Sequence, residues 1–312
     1  MKPAIQALWA ITSYFNPMRY RRRLANYRRF RDALAVPLAT IELGFDGKWE
    51  LGPGDANLYV RIGDGDVLWQ KERLLNLVLP RLPSACTQLA WLDCDLLLPE
   101  PNWPRRVADA LADAPLVQAY ARVRYLARDE DDCAGELIAD SVAARVRAGQ
   151  APAAALGRTT DRTGGAPTAG MAWAARRELI ASHGFYDGCI IGGGDTALAC
   201  AAYGVPDIAV RLHGMNAWQE RRYLAWAAAF HREVGGRVGA IDGEIRHLWH
   251  GELADRRSGE RHAGLGAHAF DPHADITCGK DGAWRWASDK PALHSYVRRY
   301  FACRNEDGAA PP

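Results

Sequence analysis

Two aspartates one residue apart, Asp93 and Asp95, lie in Gln88–Pro99 (QLAWLDCDLLLP), flanked by apolar runs and closed by proline. A short apolar run of this kind reads as a buried parallel strand. Acids at its carboxyl end fall where open α/β sheets place ligands. Along a strand successive residues face opposite ways, so Asp93 and Asp95 are expected to share a face while Cys94 points away. Two carboxylates aimed at one spot repel each other unless a cation or proton intervenes. Hard oxygen donors suit Mg²⁺ or Mn²⁺, and with such an ion a phosphorylated substrate.

Three further clusters carry chemistry. In Gly192–Asp195 (GGGD) the glycines let backbone approach something closely before an acid opens a helix. Asp195 is then either an N-cap or, at the mouth of an open site, a general base. In HLWHG, His247 and His250 face opposite sides if the strand is straight, and converge if the chain turns. With no C-x-x-C and Cys278 remote, imidazoles completing an Asp-anchored Mn²⁺ site are more economical than a zinc site. Structural histidines are the plainer alternative. In QKERLLN, Arg73 and Asn76 are spaced to share a helix face and Lys71 precedes them. They read either as surface charge or as a cation and an amide that orient a nucleotide phosphate and base.

The elements that must position these residues follow from the pattern. Strands are expected at Ala7–Tyr14, Pro37–Leu43, Leu58–Ile62 and Leu116–Tyr120, and helices after Tyr20, at Gln70–Leu79 and from Pro104. Such alternation predicts a mostly parallel sheet flanked by helices. Residues 126–167 change texture and read as an inserted loop or lid with one helix carrying Ile138, Val142 and Val146. The strand-like Thr168–Ala174, a helix near Arg176–Ser182, a helix over Asn216–Val234 stopped by Gly235, and a strand through Ile245–Trp249 follow. Beyond Arg256 the chain is rich in Gly, His and Arg and gives no clear element. Asp307–Pro312 reads as disordered.

Composition narrows the classes. A net charge of +2 over 312 residues gives no case for nucleic acid. The seven arginines between Arg19 and Arg31 read as a solvated helix face, with one or two of the first in reach of a diphosphate from the strand-one loop. No apolar run approaches the roughly 18–20 residues of a membrane span. Seven scattered cysteines predict reduced thiols and a cytoplasmic protein. The eleven tryptophans are either core or platforms for sugar rings.

The order of these motifs resembles GT-A-fold glycosyltransferases, in the β-1,4-galactosyltransferase-like and family-2-type branch. The series is SYFNPMRYR, KERLLN, WLDCDLLLP, GGAPTAGMAWAARRELIASHGF, GGGD and HLWH, spanning Ser13–His250. The resemblance implies a Rossmann-like catalytic domain over residues 1–262, with a nucleotide-sugar half (1–125), the insertion (126–167) and an acceptor half (168–262), followed by a C-terminal extension (263–312). It implies a transferase moving a sugar from a nucleotide-diphosphate sugar, UDP-sugar favoured, to a glycan or other hydroxyl, with inversion. Asp195 would be the base. Asp95, His247 and His250, with Asp93, would hold Mn²⁺ or Mg²⁺. Ser13, Asn16, Arg19, Glu42, Lys71, Arg73, Asn76 and Asp93 would bind the donor. Where that family has Glu before the base this chain has Gly194, which leaves the acceptor open and admits a non-catalytic nucleotide- or glycan-binding protein as the alternative.

Overall fold

The computed structural model describes residues 7–128, 137–157 and 166–308. Its centre is a seven-stranded sheet of β1 (Leu8–Phe15), β2 (Leu38–Leu43), β3 (Leu58–Ile62), β4 (Gln88–Leu92), β6 (Leu116–Gln118), β9 (Ala172–Arg176) and β10 (Val238–Ala240), ordered β10-β6-β9-β4-β1-β2-β3. β1 is parallel to β2 and β4, β2 to β3, and β10 to β6. β9 alone runs antiparallel, against both β4 and β6. This is the mostly parallel α/β sheet expected from the strand–helix alternation.

Side chains alternate across the sheet and build a core on each face. Ile11, Ile41 and Trp91 pack with Leu74, Leu75 and Val78 of α2 (Lys71–Val78). Ala10, Leu38, Ala90 and Leu92 pack on the other side with Tyr27 and Phe30 of α1 (Arg21–Ala33) and Val107 and Leu111 of α3 (Trp103–Asp113). Most tryptophans serve this packing. Trp91 and Trp173 stack with centroids 6.4 Å apart and are almost fully buried.

A smaller sheet, β5 (Leu96–Leu97), β11 (Glu244–His247), β7 (Arg122–Tyr125) and β8 (Ile138–Asp140), is ordered β5-β11-β7-β8. β11 pairs antiparallel with β5, in the register His247↔Leu96. That pairing carries the late histidines to the acidic segment.

The insertion differs from the single helix expected. Ile138 belongs to β8. Helix α4 (Val142–Arg147) begins only after Ser141, whose side chain accepts from the Ala144 N–H, and α5 (Pro152–Leu156) starts at a proline. A capping serine sets the helix start and frees the preceding residues to pair with β7. Residues 129–136 and 158–165 of the insertion lie outside the described residues. Helices α6 (Arg177–His183), α7 (Gly194–Ala202), α8 (Pro206–Leu212) and α9 (Ala217–Val234) follow. α9 has a capping box from Asn216 and Gln219, and Gly235 at φ 58 closes it.

The C-terminal stretch folds into the same core as β1. It comprises α10 (Glu260–Gly266), a hairpin of β12 (Ile276–Cys278) and β13 (Trp284–Trp286), and α11 (Pro291–Cys303). Leu265, Ile276, Trp284, Val297 and Phe301 join the cluster that holds Ile11 and Phe15. Asp307, expected in a disordered tail, accepts from the Arg21 and Arg22 N–H groups at the start of α1 (3.1 and 2.8 Å). Among the described residues no helix is long and apolar enough to cross a membrane, and Cys86, Cys94, Cys189, Cys200, Cys278 and Cys303 are unpaired thiols.

Candidate active site

The acidic segment is not continuous strand. β4 ends at Leu92, and Asp93–Asp95 forms a turn between β4 and β5. The Asp93 N–H makes a last bond to Met171 C=O (2.9 Å). The chain then swings toward β11, where the Leu248 N–H donates to Asp95 C=O (2.8 Å). The strand expected to carry both acids ends before them. Both line one pocket, each with its own partners.

Asp95 faces the histidines. Its Oδ2 is 2.9 Å from His250 Nε2 and its Oδ1 is 3.8 Å from His247 Nε2. Ligand atoms of all three lie within 4.8 Å of one another. His247 is the last residue of β11, and the chain leaves the strand before His250, so both rings reach the same side. Asp95 and both histidines are mostly or fully shielded from solvent. Burial opposes the charge on Asp95, but His250, His247 and Arg256 outweigh it and hold the carboxyl well below its usual range. Among the described residues Asp95 Oδ1 is buried without a hydrogen-bond partner. A buried orphan oxygen is costly unless something takes it. Two imidazoles and a carboxylate fit a divalent ion, and the nitrogen donors favour Mn²⁺ over Mg²⁺.

Asp93 faces the other way chemically. Lys71 Nζ lies 2.6 Å from Asp93 Oδ1 and 2.8 Å from Asp195 Oδ2, bridging the two acids. Lys71 opens α2, and the preceding residues are clamped. The Trp69 N–H bonds Ile190 C=O, and the Gln70 side chain donates to Trp284 C=O and accepts from the Trp284 N–H. Burial works against the ammonium, yet Asp195, Asp93 and Glu72 keep its pKa well above the ordinary value. Burial, with the Asp195 and Asp95 charges against the pull of Lys71, pushes the Asp93 carboxyl up to about 6. Glu72 is almost wholly buried, and burial lifts it to about 8.

Asp195 is not a side-chain cap. Gly193 precedes α7 at φ 99, and Asp195 sits in the first turn with Oδ2 turned to Lys71. Among the described residues its Oδ1 has no hydrogen-bond partner, so it is available to a ligand. Gly194 is required for space, because a Cβ there would collide with the Glu72 carboxyl.

Of the other residues expected around a nucleotide, Ser13 lines this pocket with Thr12, Phe15 and Trp69. Arg73 and Asn76 are engaged elsewhere. Arg73 ion-pairs with Asp187 (3.3 Å), and Asn76 both accepts from the Phe185 N–H and donates to its C=O. They lock the 184–187 loop. Glu42 accepts from the Glu50 and Leu51 N–H groups and from the Tyr59 hydroxyl. With Asn16, Arg19 and Trp49 it lines a second hollow. Sequence reasoning missed four arginines that also line the main pocket, Arg23, Arg256, Arg261 and Arg304. Three of these lie in the stretch without clear elements, where only the density of arginines marks them.

No protein-family model matches the chain, and no curated protein matches it. Solved structures similar to it include Staphylococcus aureus TarS residues 1–349 (8% identity, TM-score 0.38, covering 95% of this chain and 71% of that one). Another is the mannosyltransferase PcManGT from Pyrobaculum calidifontis in complex with GDP-Man and Mn²⁺ (13%, TM-score 0.34, 96% and 86%). The galactosyltransferase LgtC with donor and acceptor sugar analogues is a third (12%, TM-score 0.36, 83% and 95%). Likeness at this level assigns no residue a role.

Proposed function

We propose that the protein is a metal-dependent glycosyltransferase that moves a sugar from a nucleotide-diphosphate sugar to an acceptor hydroxyl. The observation that carries this reading is one pocket holding three things at once: a divalent-ion donor set, a wall of four arginines, and a carboxylate with a free oxygen beside them. Asp95, His247 and His250 would hold the ion, Mn²⁺ by the donor chemistry. When bound, it supplies electrostatic relief for the negative charge that grows on the departing diphosphate.

The protein's own groups do the rest. Of the guanidinium wall, Arg256 and Arg261 would meet phosphate oxygens, while Glu306 holds Arg23 and Arg304 in place. Phe15 lines the main pocket and Asn16, its neighbour in the chain, lines the second hollow, so the nucleoside end of a donor would extend there. Lys71 holds Asp195 Oδ2 and prevents three neighbouring acids from forcing the loops apart. Asp195 Oδ1 accepts the proton of the acceptor hydroxyl as the acceptor oxygen bonds to the anomeric carbon. The bond from that carbon to the phosphate oxygen breaks, and attack from the opposite face inverts the centre. Holding both substrates in line supplies much of the remaining acceleration.

The test is incubation with UDP-, GDP- and dTDP-sugars, with Mn²⁺ or with chelator, and measurement of released nucleoside diphosphate. Release from at least one donor with Mn²⁺ alone is expected. Tight donor binding without release, with any acceptor, would make the protein a binding module, and no Mn²⁺-dependent binding of any donor would sink the reading.

A further inference from the structure

Resting on the metal site just proposed, we infer that Glu306, near the end of the chain, is a positioning residue for the His250 imidazole. Its carboxylate is buried (1% exposed) directly behind that ring. Oε1 lies 3.7 Å from His250 Nδ1, on the side of the ring away from Asp95. The carboxylate is held by two arginines of the pocket wall. Arg23 donates from Nη2 to Oε1 (2.6 Å) and from Nε to Oε2 (2.9 Å), and Arg304 Nε donates to Oε1 (2.6 Å). Among the described residues His250 Nδ1 is buried without a hydrogen-bond partner, and the Glu306 carboxylate, 3.7 Å away, is the acceptor placed to orient it.

The surroundings are shaped to admit the tail at this point. Gly251, immediately after His250, has φ 86, and a Cβ there would run into the Arg304 carbonyl. The Tyr20 hydroxyl donates to Ala302 C=O (2.7 Å), and Asp307 caps α1, so Glu306 is anchored on both sides. A metal-ligating imidazole whose other nitrogen donates to a carboxylate is held in one tautomer and one ring orientation, and is the more basic ligand for it. The end of the chain thus serves the site: Glu306 favours the tautomer whose Nε2 is an acceptor, turned to Asp95 and to the Arg256 Nη2 that donates to it (2.9 Å), and ties the imidazole to Arg23 and Arg304.

The experiment is Mn²⁺ titration of the purified, full-length protein followed by electron paramagnetic resonance, with the thermal midpoint measured on each sample. Glu306→Gln is expected to weaken Mn²⁺ by about 10–100-fold. Glu306→Asp retains the charge for both arginines but withdraws the carboxyl from the ring. It is expected to stay folded and still lose affinity, which decides the matter if the Gln variant does not fold. Asp307→Asn loosens the same tail and lowers the midpoint without changing Mn²⁺ affinity. Wild-type affinity in Glu306→Asp, or an equal loss in Asp307→Asn, would overturn the inference. If the wild-type protein binds no Mn²⁺, it is the metal-site reading that fails.

Discussion

Asp93 and Asp95 are one residue apart, yet the protein treats them as opposites. Asp95 is set among imidazoles with Arg256 beside them, and stays a carboxylate far into acid. Asp93 is held by Lys71, but burial, with the Asp195 and Asp95 charges beside it, pushes its carboxyl up to about 6. A turn in place of a strand makes this possible, because it points the two side chains at different partners. A pair of acids whose surroundings drive their protonation apart divides the labour of a site. One half offers permanent negative charge to a cation. The other is a lysine-bridged acid pair whose free oxygen can take a proton.

Breaking the first half should have the largest effect. Asp95→Ala should eliminate Mn²⁺-dependent donor binding, measured by titrating donor with and without the ion, while leaving the fold intact. Unchanged affinity would remove Asp95 from the metal site. Asp195→Asn should lower turnover by about 10²–10⁴-fold with donor binding retained, the loss expected for a general base. Equal loss of binding and turnover would make Asp195 structural.

Lys71→Met sharpens the comparison by leaving Asp93, Asp195 and Glu72 without their shared cation. Removing one partner from a buried ion pair costs about 3 kcal/mol. The loss should grow from pH 5 to pH 8, because protonation of Asp93 and Glu72 relieves the repulsion at the lower value. Chemical denaturation at the two pH values tests this, and a pH-independent loss would argue against a shared charge cluster. The smallest effect concerns Glu72. Its folded pKa of about 8 lies above the ordinary 4.5, so its contribution to stability is full below about pH 4.5 and is lost as pH rises through 8. Glu72→Gln cannot ionise and should match the wild type near pH 5. By pH 9 it should be the more stable by a few degrees, on the order expected for a domain of this size. A difference that does not change with pH would mean Glu72 is not buried as a neutral acid.

The fold was legible where local pattern decides structure. The strands at Leu38–Leu43 and Leu58–Ile62 and the helix stopped by Gly235 appear within a residue or so of where apolar runs and caps put them. The turn at Asp93–Asp95 was not legible, because it is imposed by pairing of Leu96 with His247, 151 positions later in the chain. The same pairing decided between the two readings of HLWHG. Lys71 could be read as surface charge because nothing near it in sequence reveals that Asp195 lies across from it. Arg256, Arg261, Arg304 and Glu306 were hidden for a related reason. They lie in a segment of weak local pattern whose place is fixed by contacts with α1 and β1, at the opposite end of the chain.

The most direct test of the account is the environment of Mn²⁺ bound to the wild-type protein, read by electron spin echo modulation from ligand nitrogen. Two coupled imidazole nitrogens are predicted, one disappearing in His247→Ala and the other in His250→Ala. Bound Mn²⁺ with no nitrogen coupling would contradict a centre built from Asp95 and the two late histidines.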